Sequence, residues 1–177
     1  SLGDPHLSFF ENLGRVFGKL MPFGTSNMWV DMVTLFRELE PTLSDDWLGR
    51  YQRAFSLLTT ELVPRDVLVT LAHRDFAPWN TRLLEDGALY AFDWEFSRAD
   101  YLADYDHHHF ELMTSLLLGS RTGRKPPEAK SGSSRLSHLA YLVDVGLFYH
   151  SALSAWQGVK DDRVLKRVGS EMDEALG

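Results

Sequence analysis

The apolar residues of this chain change period twice, and that change limits the fold to a helical body interrupted by a small β insert. Up to residue 64 they recur at helical spacing in three stripes. The first is Phe9, Phe10, Leu13, Val16, Phe17 and Leu20; the second is Met28, Trp29, Met32, Val33, Phe36 and Leu39. Trp47, Leu48, Tyr51, Phe55, Leu58 and Leu62 make the third. Pro22 with Gly24, then Pro41, then Pro64 end these stripes. Asn27 stands where a cap for the second helix is needed, and Ser44 followed by Asp45 and Asp46 opens the third. From 65 to 95 the spacing is that of strands. Val67-Leu68-Val69-Thr70-Leu71 is a short β-branched, apolar run, and Arg82-Leu83-Leu84 and Leu89-Tyr90-Ala91-Phe92 flank the turn residues Glu85-Asp86-Gly87. Helical spacing returns over Tyr105 to Leu118, over Leu136 to His150, and through Val164, Leu165, Val168 and Met172.

The expected class is therefore mostly α with a small β-hairpin insert, an α+β fold in a single domain over residues 1–177. Its parts are a helical segment at 1–64, a strand, loop and hairpin at 65–95, and a second helical segment at 104–177. Residues 119–134, rich in Gly, Pro, Ser, Lys and Arg, read as a mobile interhelical loop. At 44% hydrophobic and 24% charged residues, the chain can bury a sizeable core. With no Cys, disulfides, thiolate metal sites and cysteine nucleophiles are excluded. A net charge of -7 argues against nucleic acid as a partner, and no apolar run of roughly 18 residues provides a membrane span. The first residues also lack the basic-then-apolar order of a signal peptide, so the expected location is cytoplasmic.

Between the first strand and the hairpin lies His73-Arg74-Asp75-Phe76-Ala77-Pro78-Trp79-Asn80, and the hairpin runs into Asp93-Trp94-Glu95. Loops held by rigid elements are where reactive groups are usually mounted. Phosphoryl transfer needs an acceptor hydroxyl that is aligned and relieved of its proton, and Mg²⁺ bridging the phosphate oxygens. Asp75 suits the base, while Asn80 and Asp93 supply the oxygen ligands that Mg²⁺ prefers. His73 reads as structural, its ring bonding nearby backbone to hold the loop.

H-x-D-x-x-x-x-N followed by an Asp after a short hairpin resembles the catalytic and metal-binding arrangement of the protein-kinase-like superfamily. The chain is most similar to the aminoglycoside phosphotransferase and choline kinase branch, where Asp-Trp commonly replaces Asp-Phe-Gly, as Asp93-Trp94 does here. Ala77 stands where serine/threonine protein kinases usually carry Lys, which implies a small-molecule acceptor. The resemblance covers residues 67–110. It implies ATP or GTP as donor, Mg²⁺ as cofactor and an aminoglycoside-, choline- or sugar-like hydroxyl acceptor. It also implies an Asp at the start of the following helix that supports the catalytic loop; Asp106 is the first candidate and Asp104 the second. The family's N-terminal lobe, with its Gly-rich loop and strand Lys, has no counterpart here. Gly14, Gly18 and Gly24 lie in or beside a helical stripe, and Lys19 has too little chain before it. The chain thus resembles a C-terminal lobe whose nucleotide-binding lobe is missing, and it is expected to be inactive without it.

Three other features have competing readings. Trp79, Trp94 and Glu95 could contact substrate, against packing for the aromatics and a solvated loop for Glu95. Asp106-His107-His108 resembles the triplet of a phosphoesterase family, but consecutive helical residues point about 100° apart, so His107, His108 and His109 cannot share one ion. Surface or core histidines are the simpler expectation. The basic residues Arg121, Arg124, Lys125, Lys130 and Arg135 fit a surface loop better than an anion site. The alternative to an enzyme is a helical binding or scaffold domain that keeps the kinase-like geometry.

Overall fold

The structure is a computed structural model that describes residues 4–118, 132–155 and 162–177. It is mostly helical with one three-stranded and one two-stranded β element, the α+β class read from the sequence. The chain forms two compact units, Ser1–Met21 with Asp66–Glu128, and Pro22–Arg65 with Ala129–Gly177. Each of the two helical segments read from the sequence is therefore divided between the units. Among the described residues no helix is long and apolar enough to cross a membrane.

The first unit holds helix α1 (Asp4–Phe17), strands β1 (Lys19–Pro22), β2 (Asp66–Ala72), β3 (Thr81–Leu83), β4 (Leu89–Ala91) and β5 (Arg98–Leu102), and helix α4 (Tyr105–Leu118). Helix α1 stops short of the expected stripe. Gly18 closes its last turn onto Gly14, and Leu20 goes instead into β1, where it is exposed. The strands β1, β2 and β5 form one sheet in that order, with β2 and β5 antiparallel through Val69 opposite Leu102 and Thr70 opposite Tyr101. Strand β5 was not legible as a strand. Its register slips between Thr70 and Ala72, and Asp100 takes φ 62°, so the two-residue alternation that marks a strand is broken. An ion pair from Lys19 to Asp100, at 2.7 Å, holds that irregular point.

The hairpin forms where expected, β3 antiparallel to β4 with Arg82 opposite Tyr90. Gly87 donates to the Leu84 carbonyl and the Leu84 N–H to Ala88, with Gly87 at φ 84°. That left-handed position is why glycine follows Asp86. Phe76, Ala91 and Phe110 form the buried centre of the unit, with Phe9, Phe10, Leu89 and Trp94 against it. Phe9 and Phe10 lie 5.2 and 5.0 Å from the Phe76 ring, so the apolar face of α1 packs directly under the loop that runs from His73 to Asn80.

The second unit contains α2 (Asn27–Leu39), α3 (Asp45–Glu61), α5 (Gly132–Ala155) and α6 (Arg163–Leu176). Its core is Met28, Met32, Tyr51, Ala54, Leu58, Leu139, Leu142, Val143, Leu147, Val168 and Met172, all buried. Ser26, rather than Asn27, caps α2: its Oγ accepts from the Trp29 N–H at 3.2 Å and donates to the Phe23 carbonyl at 2.7 Å. Asn27 is one position inside the helix. Ser44 caps α3 as read, at a longer 3.5 Å from the Trp47 nitrogen. Arg50 of α3 pairs with Asp46 and with Asp173 of α6, the latter at 3.0 Å. Of the expected mobile loop, residues 119–131 lie outside the described residues, whereas 132–134 belong to α5. Arg135 is likewise helical and donates from Nε to the Ala175 carbonyl at 2.7 Å.

Candidate functional site

Strand β2 delivers the chain to His73, and the next residue bends sharply: Arg74 has φ 68°. A side chain with a Cβ pays roughly 1–2 kcal/mol for that region. What holds the bend is Asp106 on the first turn of α4. Its carboxylate is buried, and its two oxygens accept the backbone N–H groups of His73 at 2.7 Å and Arg74 at 2.9 Å. Burial pushes the Asp106 carboxyl above the usual carboxylate range, against the opposing pull of those two N–H groups and of His109 and His73. Asp104, the other candidate for this position, lies 3.4 Å from His108 instead. The Arg74 guanidinium sits over the Tyr101 ring at 4.8 Å, which ties the bend to β5.

His73 is fully buried and uses both ring nitrogens. Nδ1 accepts the Asp75 N–H at 3.3 Å, and Nε2 lies 2.8 Å from the Phe92 carbonyl. A carbonyl can only accept, so Nε2 carries the proton and the ring is the neutral Nε2–H tautomer. Phe92 is also held from its other side, its N–H donating to the Asn80 carbonyl at 3.1 Å. The residue just before Asp93 is thus pinned to both ends of the loop. Asp93 itself has φ 68° and is exposed. Among the described residues no side chain pairs with its carboxylate.

Asn80 is buried and ends the loop in a single 3₁₀ turn, Pro78–Asn80. Its Nδ2 donates to the Asp75 carbonyl at 3.0 Å and to the Asp75 carboxylate Oδ2 at 2.7 Å. Both partners are acceptors, which fixes the amide orientation and leaves Oδ1 as the atom able to take a cation. The other Asp75 oxygen, Oδ1, lies 3.5 Å from His109 Nε2. The Asp75 side chain keeps 31% of its surface exposed, whereas that of His109 keeps 3%. Asp75 is therefore hydrogen-bonded by Asn80 on one side, faced by His109 on a second and open on a third.

The structure brings His73, Asp75, Asn80 and Asp106 into one bonded set, and joins Asp93 to it through the Phe92 backbone. The residues considered for substrate contact do not join this set. Trp94 donates from Nε1 to the Ala91 carbonyl at 2.9 Å and packs on His73 at 4.6 Å, so its ring is part of the core. Trp79 is 51% exposed, and Glu95 is exposed. The three histidines of α4 go three ways: His107 toward Glu111 at 3.4 Å, His108 toward Asp104, and His109 toward Asp75. Among the described residues no three His, Cys, Asp or Glu side chains gather as a metal cluster. His109 is the site residue that sequence reasoning passed over. The signal was available, since Asp106 and His109 are three apart on one helix face.

Hard oxygen donors from one carboxylate and one amide, with room for phosphate and water, suit Mg²⁺. The donor set of Asp93 and Asn80 Oδ1 fits that ion, because the Asn80 nitrogen is already committed to Asp75 and the Asp93 carboxylate is exposed. Comparison with protein-family models, with curated proteins and with solved structures finds no match to this chain.

Proposed function

We propose that this chain carries the catalytic half of a phosphotransferase that moves a nucleotide γ-phosphoryl group to a small-molecule hydroxyl. In this reading it is akin to the C-terminal lobe of the aminoglycoside phosphotransferase and choline kinase branch of the protein-kinase-like superfamily. The observation that carries the reading is the bonded set around Asp75: a carboxylate held by Asn80, on a strained turn clamped by Asp106, with Asp93 delivered by a hairpin pinned to the same loop. Strain at Arg74 and Asp93, held by buried bonds, is the kind of cost that a reactive site rather than a plain turn explains.

In the reaction the acceptor oxygen bonds to the γ-phosphorus as the bond from phosphorus to the β,γ-bridging oxygen breaks. The nucleoside diphosphate leaves, and the hydroxyl proton passes to Asp75. Asp75 can receive it on its open side while Asn80 keeps Oδ2 in place. Asn80 Oδ1 and Asp93 would hold Mg²⁺, whose charge offsets that building on the phosphate oxygens. His73 and Asp106 act on the loop's shape alone. The nucleotide-binding lobe is taken to be a partner supplied in addition to these 177 residues, and Ala77 favours a small acceptor over a protein.

Paramagnetic broadening by Mn²⁺ with ATP tests the metal half of this reading and detects even weak binding. Amide resonances of residues 75–80 and 92–95 should broaden selectively, and Asp93→Asn should abolish the effect. Broadening confined to other acidic surfaces, or unchanged in Asp93→Asn, would refute it.

A further inference from the structure

The Asp75 carboxylate has two oxygens, and the loop supplies a partner for only one of them. Asn80 donates to Oδ2 at 2.7 Å. The group facing Oδ1 comes from outside the loop, the imidazole of His109 on α4, whose Nε2 is 3.5 Å away. His109 is 2% exposed and parallel to the Tyr105 ring within 8°, so it cannot swing to solvent without breaking core packing. Its helix turn is the one that Asp106 bolts to the loop backbone. The spacing between His109 and Asp75 is thus set by the same two N–H bonds that hold the Arg74 bend.

We propose that His109 is a positioning residue for Asp75. Its Nε2–H holds Oδ1 as the Asn80 amide holds Oδ2, so that the carboxylate meets an acceptor hydroxyl in one orientation. This rests on the phosphotransferase reading of Asp75. A carboxylate has about four lone-pair sites, so both oxygens can be held while one lone pair still faces the incoming proton. The 3.5 Å separation is longer than a formed hydrogen bond, and such contacts in ligand-free sites tighten when substrate is bound. Side chains locked by packing hold reacting groups more tightly than loop residues can, and a displacement near 1 Å is worth about 100-fold in rate.

Two measurements test it. In the first, long-range ¹H–¹⁵N spectra of histidine-labelled protein, with the signal assigned through His109→Gln, should show a slowly exchanging His109 Nε2–H. That resonance should shift in Asp75→Asn. In the second, MgATP turnover with water as acceptor is followed in the protein as the cell makes it. His109→Leu should lower kcat about 10- to 100-fold with KM for MgATP unchanged, and His109→Gln, which keeps an N–H donor, should recover most of the loss. A His109 resonance indifferent to Asp75→Asn overturns the proposal, as does a His109→Leu protein of normal kcat. A coupled resonance with no wild-type turnover overturns the phosphotransferase reading, and the catalytic role of the pair with it.

Discussion

Replacing Asp106 with Asn tests the support of the whole site while keeping the side chain's shape. The carboxylate offers two acceptors to two backbone donors, from His73 at 2.7 Å and Arg74 at 2.9 Å. An amide offers one acceptor, and turns an N–H₂ group toward the other donor. One buried N–H is left unsatisfied, a loss of about 1–3 kcal/mol. The surviving bond changes from charge-assisted to neutral, roughly halving its strength, for about 1 kcal/mol more. Relief of the carboxylate's desolvation works the other way, and burial is the largest influence on this group. The net expectation is a loss of about 2 kcal/mol, or about 30-fold in the opening equilibrium of the loop. Amide hydrogen exchange reads this directly: the His73 and Arg74 N–H groups should exchange about 30-fold faster in Asp106→Asn, with smaller changes in the second unit. Unchanged protection at these two amides would show that desolvation outweighs the bonds and that Asp106 does not hold the bend.

Three further outcomes follow from the second unit. Among the described residues the buried Tyr51 hydroxyl has no hydrogen-bond partner, and burial with Asp144 nearby pushes it well above the usual tyrosine range. Tyr51→Phe should therefore raise stability by about 1–2 kcal/mol in urea unfolding. A Cβ at Gly146 would sit 2.6 Å from that hydroxyl oxygen but 3.6 Å from Tyr51 Cζ, so Gly146→Ala should destabilise the natural protein and cost much less in Tyr51→Phe. Additive effects of the two changes would contradict this geometry. His150 packs edge-on against Trp47 at 4.8 Å, and burial pushes its pKa down to about 4. Its stability contribution is present above the unfolded value near 6.5 and is lost as pH falls from there to about 4; because the ring is partly exposed, solvent screening reduces the loss to about 1–2 kcal/mol. The pH slope of stability in that window should flatten in His150→Gln; an equal slope in both proteins would assign the effect to another group.

Where a residue's role depends on its immediate neighbours in the chain, it was readable. Pro41 and Pro64 bound the helices, Ser44 opens one, and Asp86-Gly87 turns the hairpin, because each acts through backbone torsions and hydrogen bonds a few residues away. Asp106 was reachable through the resemblance over residues 67–110. Strand β5 was hidden by its bulge, and Ser26 was overlooked for Asn27 because both are good caps and only the backbone decides which sits at the boundary. Trp94 could pack or bind by its chemistry, and its packing on the His73 ring appears only in three dimensions.

By itself the sequence determined the alternation of helix, strand and helix, the placing of Asp75, Asn80 and Asp93 around a short hairpin, and the lack of any thiol chemistry. Hydrophobic period and turn residues act locally, so one dimension is enough to read them. Only the tertiary structure decided that the chain divides into two units across both helical segments. It also decided that Asp106 rather than Asp104 grips the loop, and that one histidine of three faces Asp75. Those outcomes depend on which face of α4 lies against a strand more than thirty residues earlier, a rotation set by packing rather than by any local preference along the chain.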